Sequence, residues 1–320
     1  MTIRVGVRSR GFCGTLGRVQ IPRVHQQAGR FYDGGIPAHG GLPEVPANPD
    51  LPPRIVLARS SDLTGARFRM ERRIGYRDRE LGDILVPAGL GSFATDLASV
   101  PALFTWLVPK DGAHLPAALL HDGLSYSPEE EPSYVSLDGH DIDAVAADRV
   151  FRDAMADTGT GMVRRWLMWA AVTTATLAKG QGVAMSRATL WRYRAAAAAT
   201  VLVVVLLGVM ATLDLFDTDT WVPEVPWMPE GRFLGELIGG LAGALVVPFL
   251  LAAAWGRFWI AGVIVGISLA VLLHVTVVLV AITATYQVVE RMTGRLPVVA
   301  VAAAAAVLAC ALVVFVAALV

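Results

Sequence analysis

Four polar side chains in the middle of the chain have the types that acid–base or metal chemistry uses. Asp96 follows a strand-like run, His121 and Asp122 are adjacent, and Asp148 stands among apolar residues. One imidazole nitrogen with carboxylate oxygens suits a divalent transition metal, and a bound metal lowers the pKa of a water for hydrolysis. We therefore predict His121, Asp122 and Asp148 as candidate metal ligands. Asp96 would be a further ligand or a general base, which makes all four candidate catalytic residues.

The same residues also fit a structural role. A buried His–Asp pair with a second aspartate often forms a hydrogen-bonded network that holds helices together. Asp96 could instead cap a turn, because an aspartate carboxylate readily accepts backbone N–H bonds. Adjacent helical residues point about 100° apart, so His121 and Asp122 cannot both face one ligand head-on, although they can flank a cleft. Convergence at an open cleft favours a site, and a sealed network favours structure.

Short strands followed by helices must position these side chains, which predicts a small soluble α+β domain over residues 55–185. Alternating and β-rich runs predict the strands, and capping residues with apolar spacing predict the helices. The predicted strands lie in Arg54–Ser60 and within Ala66–Val86, and the predicted helices are Leu115–Tyr126, one that Asp141 or Asp143 caps and that runs to about Asp157, and Met162–Ala178.

Five blocks of sequence hold the candidate residues in a fixed order: Ile84–Gly89, Phe93–Pro101, Ala117–Asp122, Ala147–Phe151 and Arg165–Met168. Together they resemble domain of unknown function family 1353, small proteins that are common in tailed phages, prophages and bacteria. The resemblance covers residues from about 66 to 180. Because no biochemical activity is established for that family, the resemblance implies a fold outline and candidate positions, and it does not imply a reaction.

The C-terminal part of the chain is far more apolar than the rest. Of the 320 residues 55% are hydrophobic and 17% are charged, and beyond Ala195 the charges lie almost only between apolar runs. About 20 apolar residues cross a bilayer, and backbone groups in lipid must bond within the segment, so these runs should be helices. We predict an all-α four-helix transmembrane domain over residues 195–320, with spans at about 195–213, 234–255, 258–285 and 296–320.

Composition bounds the remaining classes. Residues 1–54 are rich in glycine and proline and are predicted to be a disordered tail. A net charge of zero without a Lys/Arg block argues against a nucleic-acid partner. Cys13 and Cys310 lie in the predicted tail and in the last apolar run, so neither a disulfide framework nor a zinc site is implied. Basic residues before the first span predict a cell (inner) membrane protein whose soluble domain and C-terminus are cytoplasmic.

Small residues recur at a spacing of four in two of the predicted spans. Gly235, Gly239 and Gly243 form one stripe, and Gly262 and Gly266 form another. Such stripes let helices approach closely, either within the bundle or between two copies of the chain. The lipid bilayer is the predicted partner, and a second copy of the chain, packed through these glycines, is a further candidate. His274 falls near mid-depth in the third span, where it could bond a neighbouring helix or line a path.

Three hypotheses for function follow. The first is a multi-pass membrane protein with a cytoplasmic phage-type domain that serves as a non-catalytic interaction or scaffold module. The second is a membrane-tethered, metal-dependent hydrolase that uses Asp96, His121, Asp122 and Asp148. The third is a small transporter with a polar path past His274.

Overall fold

The structure is a computed structural model that describes residues 29–41, 43–62, 65–91, 93–97, 108–109, 111–125, 132–215, 225–228, 233–293 and 305. The strands in these ranges are β1 (Phe31–Asp33), β2 (Leu57–Asp62), β3 (Gly65–Met70), β4 (Ile74–Asp78), β5 (Gly82–Val86) and β6 (Val135–Ser136). The helices are α1 (Leu115–Leu124), α2 (Ala144–Asp157), α3 (Met162–Lys179), α4 (Arg187–Leu215), α5 (Phe233–Leu251) and α6 (Trp259–Thr293), with a 3₁₀ segment, Ala252–Phe258, between the last two.

An antiparallel sheet in the order β1-β4-β5-β6 forms one side of the polar domain. β2 and β3 form a separate antiparallel hairpin, which meets the chain after β5 through a bridge between Phe68 and Thr95. In β4, Ile74 and Tyr76 are fully buried, because side chains at alternate positions of a strand share one face. The predicted α+β character of this region is confirmed, and the bridge brings Thr95 toward the helices.

The prediction that residues 1–54 are a disordered tail is wrong for the part of it that the structure describes. β1 pairs with β4, and the following chain is bridged at Asp33–Asn48 and Ile36–Val45. The buried Asp33 carboxylate also accepts two bonds from Arg72, the Nε bond being 2.6 Å long. The domain therefore begins before residue 55. Residues 1–28 lie outside the described residues.

Three helices complete the core of the polar domain. α1 packs on β4 and β5, and α2 packs on both α1 and α3. The α2 helix begins where the Asp143 carboxylate accepts a 2.7 Å bond from the Ala146 amide, which satisfies one of the free amides of the first turn. It ends at Asp157, so the predicted cap and boundary of α2 are confirmed.

Gly123 allows α1 to lie directly on the sheet. A Cβ atom at this position would lie 2.3 Å from Val86 Cγ1, and Val86 is fully buried in β5. We expect Gly123→Ala to destabilise the domain by about 2 kcal/mol, because the overpacking cost exceeds the gain of about 1 kcal/mol in helix propensity. Denaturant unfolding measures the change. Gly29→Ala, with nothing within 4 Å of the added atom, is the control, and equal stability of the two variants would contradict the expectation.

The C-terminal helices fold back on one another. α5 and α6 pack together as a hairpin, and α4 packs against both. The reversal centres on Gly256, whose φ of +53° is a left-handed conformation that glycine adopts without steric cost. Beside the hairpin, Trp255 Nε1 donates a 3.0 Å bond to Thr200 Oγ1 of α4. Because both side chains are buried, this bond holds α4 against the reversal.

Two stretches within the described ranges, Arg187–Asp214 and Leu234–Leu273, are long and apolar enough to cross a membrane by length and composition. Of their most apolar windows only 17% and 11% respectively is buried, whereas the core helix of a soluble protein is mostly buried. These stretches indicate membrane association. The predicted four-helix count is not confirmed: the second stretch contains the Gly256 reversal, and the run 296–320, apart from the helical Ala305, lies outside the described residues.

The polar domain and the apolar helices are not separate bodies. α3 packs along α6, and Ala261, in the first turn of α6, is fully buried in the same hydrophobic core as Met168 and Trp169 of α3. At the other end of α3, Arg194 of α4 donates 3.0 and 2.8 Å bonds to the carbonyls of Leu177 and Lys179. The boundary predicted between residues 185 and 195 therefore separates two segments that share one core.

Candidate functional site

The first polar cluster joins three helices. His121 Nε2 of α1 lies 2.9 Å from Asp148 Oδ1 of α2, and Thr176 Oγ1 of α3 donates a 3.2 Å bond to the same oxygen. The Asp148 side chain is only 3% exposed, and that of His121 is 14% exposed. A buried carboxylate needs such partners, because an unpaired one would lose its hydration without compensation. The geometry is that of a polar latch between α1, α2 and α3.

The surroundings of His121 do not form a nucleophile–base–acid triad. Ser125 Oγ lies 3.4 Å from His121 Nε2, the same nitrogen that Asp148 engages. In a triad the orienting carboxylate and the nucleophile bond opposite ring nitrogens. The ring of His121 instead stacks at 4.8 Å on the ring of Phe151, which holds the imidazole in place against α2.

The second cluster joins α1 to the segment after β5 that bridges to β3. Thr95 Oγ1 donates a 2.5 Å bond to Asp122 Oδ2, and the Leu97 amide donates a 2.8 Å bond to Thr95 Oγ1. Leu97 has a φ of +76°, a left-handed conformation that is uncommon and strained for a branched side chain. The buried Thr95 thus connects a strained turn to the Asp122 carboxyl.

The fold changes the acidity of Asp122. Burial raises the pKa of the Asp122 carboxyl to about 6, because leaving water disfavours its charged form. The bond from Thr95 and the proximity of His121 lower this pKa, whereas the nearby Asp96 raises it, and burial has the largest influence. A carboxyl that titrates near neutral pH can act as either a general acid or a general base.

The structure divides the four predicted residues instead of gathering them. His121 and Asp148 belong to the latch, Asp122 bonds Thr95 on another side of α1, and Asp96 is exposed. The described residues contain no group of three or more His, Cys, Asp or Glu side chains that could hold a metal ion. The metal site predicted at His121, Asp122 and Asp148 is therefore not formed by this geometry. Their angular separation on α1 explains why, since neighbouring helical residues face different partners.

Two threonines that the sequence did not single out complete these clusters. Thr95 bonds Asp122 and Thr176 bonds Asp148. Thr95 is next to the candidate Asp96, so the sequence indicated this segment as a candidate. Nothing in the sequence marked Thr95 itself as a functional residue. Thr176 lies on α3, four residues after Val172. Its position in the sequence does not distinguish a hydroxyl that bonds a buried carboxylate from one at the surface.

The small-residue stripes make contacts within the chain. An added Cβ would lie 2.3 Å from the Trp227 carbonyl at Gly239, 2.4 Å from Trp227 Nε1 at Gly243, and 2.7 Å from Pro248 Cβ at Gly266. These contacts support packing inside the bundle, and self-association stays a prediction. His274 belongs to α6, but its side chain lies outside the described part of the structure, so the transporter path also stays a prediction.

Residues 68–172 match the profile of a family described as "Protein of unknown function (DUF1353)". The matched segment contains His121 and Asp148 of the latch and the whole Thr95–Asp122 cluster. It ends within α3, before Thr176. Comparison with curated proteins and comparison with solved structures found no match. The matched segment is thus similar to the DUF1353 family over about a third of the chain, and α4, α5 and α6 lie outside the match.

Proposed function

We propose that the chain is a multi-pass protein of the cell membrane whose cytoplasmic, phage-type domain is a non-catalytic interaction or scaffold module. The observation that carries the proposal is the latch, in which His121, Asp148 and Thr176 are engaged with one another. Hydrogen bonds that join three helices through one oxygen, Asp148 Oδ1, hold those helices in place.

The docking of α3 on α6 supports a module that is held firmly beside the membrane. A domain on a flexible linker would place no residue of the span in its own core, whereas here Ala261 is fully buried there. Large apolar side chains on α4, α5 and α6, such as Leu206, Ile238 and Val278, are more than half exposed. This surface suits lipid, and it leaves the opposite side of the polar domain free for a partner.

The charge distribution supports a cytoplasmic domain. Arg187, Arg192 and Arg194 lie at the start of α4, and Arg257 lies in the reversal between α5 and α6. Both places are at the same end of the bundle, because an added Cβ at Gly256 would lie 3.4 Å from the Arg192 guanidinium. Lys and Arg residues that flank spans are retained on the cytoplasmic side.

Cysteine labelling in cells tests this arrangement. In a chain with Cys13→Ser and Cys310→Ser, Leu137→Cys on the exposed turn after β6 and Glu290→Cys near the end of α6 are treated with a membrane-impermeant maleimide. We expect the residue-290 site to react in intact cells and the residue-137 site to react only after permeabilisation. Labelling of the residue-137 site in intact cells, or release of the chain by alkaline carbonate, would overturn the proposal.

The environment of Asp122 favours a second candidate, a membrane-tethered hydrolase that uses acid–base chemistry. A pKa of about 6 lets Asp122 exchange a proton near neutral pH, and the hydroxyl of Thr95 would orient its carboxyl. In this reading the latch holds α1 in position and is not itself reactive. The two candidates differ in one respect: only the hydrolase needs the proton of Asp122.

A further inference from the structure

A cavity lies among the apolar helices, away from both polar clusters. It has a volume of about 350 Å³, is partly open, and is bordered by α4, α5, α6 and the segment Val225–Met228. Ligand sites in proteins occupy roughly 300–1,000 Å³. At about 30 Å³ per heavy atom, as in liquid water, such a space holds roughly a dozen non-hydrogen atoms.

The walls of the cavity are apolar, and one of the glycines in them, Gly240, leaves space. Gly208, Gly240 and Gly243 line it. A Cβ at Gly240 would meet only the Met228 side chain, at 3.8 and 4.0 Å, so the glycine leaves space there and is not required by a close contact. The Trp227–Met228 segment covers Gly239 and Gly243 directly and forms the roof of the cavity.

One ionisable side chain lines the described wall of the cavity. Glu236, in the first turn of α5, is only 6% exposed, and no hydrogen bond or ion pair among the described residues engages its carboxylate. Glu236 is the acidic residue in the first turn of α5, and it stands on an otherwise apolar wall. Ionisable groups in such surroundings usually pair with a group of opposite charge, which suits a cation as the ligand.

We propose that this cavity binds a small amphiphilic cation, with its ammonium group at the Glu236 carboxylate and its apolar body between α4, α5 and α6. The negative charge of Glu236 requires a positively charged head group on the ligand, and the apolar walls require an apolar body. The site goes beyond the proposed interaction function, since it uses the helices outside the DUF1353 match. A module that binds a partner on its cytoplasmic face would be coupled to such a ligand through the packing of α6 on α3.

Three probes with the same tail and different heads test the proposal: n-octylamine, 1-octanol and octanoate. The full chain is placed in phosphatidylcholine nanodiscs, and saturable binding of each radiolabelled probe is measured by equilibrium dialysis against empty nanodiscs. We expect one saturable site for octylammonium and binding of octanol and octanoate that is weaker by more than about tenfold. Equal binding of octanol would overturn the proposal and identify a groove for acyl chains. Binding no greater than in empty nanodiscs would overturn it as well.

Three variants show whether octylammonium binding depends on the cavity or only on the overall charge of the protein. Glu236→Gln is expected to weaken octylammonium binding more than about tenfold, and Glu290→Gln, the same change on the exposed end of α6, is expected to leave it unchanged. Gly240→Leu fills the cavity without altering charge and should also abolish binding, which keeps the test valid if the Glu236 variant fails to fold. An equal loss in the Glu290 variant would refute the site. Such a result would leave the cytoplasmic module intact, because the cysteine labelling tests that separately.

Discussion

Replacing His121 by alanine is expected to lower the free energy of unfolding of the polar domain by about 3 kcal/mol. The change leaves the Asp148 carboxylate, 3% exposed, with the Thr176 hydroxyl as its remaining partner in the latch. Removing one partner of a buried hydrogen bond costs about 1–3 kcal/mol, and more when the group left without its partner is charged. The upper part of this range applies because the Asp148 side chain is almost fully buried. Denaturant unfolding of the full chain in nanodiscs, followed by tryptophan fluorescence, measures the loss.

Two further variants show whether the loss comes from the latch. Ser125→Ala removes only the 3.4 Å contact to the same nitrogen, and it is expected to change stability by less than about 0.5 kcal/mol. His121→Gln retains an N–H donor and should recover part of the loss. An His121→Ala chain as stable as the unaltered one would contradict a structural latch, and with it the main support for a non-catalytic module.

The helices of the polar domain could be predicted from sequence because their signals are local. The Asp143 cap of α2 and the glycines that follow both α2 and α3 lie within one turn of the helix end that they fix. Val145, Val150, Phe151, Ala154 and Met155 have helical spacing in the sequence, and all of them except the half-buried Val145 are buried in the structure. Signals of this kind require no knowledge of what the helix packs against.

β1 could not be predicted because the residues that pair with it and bond it are distant in the chain. Its register pairs Phe31 with Tyr76, and its last residue, Asp33, is held by Arg72, 39 positions away. Glycine and proline on either side dominate the local composition and are typical of a disordered segment. A three-residue strand adds too little alternation to outweigh that signal.

The division of the candidate site follows from the same distinction between local and distant information. Helical geometry alone required His121 and Asp122 to point in different directions. It could not tell which of them would meet Asp148, because that depends on how α2 packs on α1. Similarly, Ala261 is an ordinary small residue within an apolar run, and only the packing of α6 on α3 identifies it as part of the polar domain's core.

Replacing Asp122 by asparagine is expected to stabilise the polar domain at pH 8 and to have little effect near pH 4. The pKa of this carboxyl is about 6 in the folded chain, whereas an unfolded aspartate has a pKa of about 3.9. The folded state therefore binds the proton more tightly. Its contribution to stability is complete below about pH 4 and is lost as the pH rises through about 6. Two pKa units correspond to about 3 kcal/mol, and residual solvent contact reduces the expected gain to about 2 kcal/mol.

The pH dependence of unfolding, compared between the unaltered chain and the variant from pH 4.5 to 8, measures this gain. Asparagine can still accept the bond from Thr95, so the comparison isolates the charge. Asp96→Asn is a control with a smaller expected effect, because it removes a neighbouring charge that raises the pKa of Asp122. The pH at which this variant loses stability should be slightly lower than in the unaltered chain. Parallel profiles for the unaltered and Asp122→Asn chains would show that the carboxyl is not held in its neutral form.

The outcome also bears on the choice between the two functions. A carboxyl that destabilises the fold at neutral pH, bonded through Thr95 to the strained turn at Leu97, is costly if it serves structure alone. Active sites commonly retain such costs, and replacing their residues gains stability while activity is lost. A more stable Asp122→Asn chain that still binds its partner would favour the interaction module. A more stable chain that loses hydrolysis of ester or phosphodiester substrates would favour the hydrolase, with the latch in both cases keeping α1 in place.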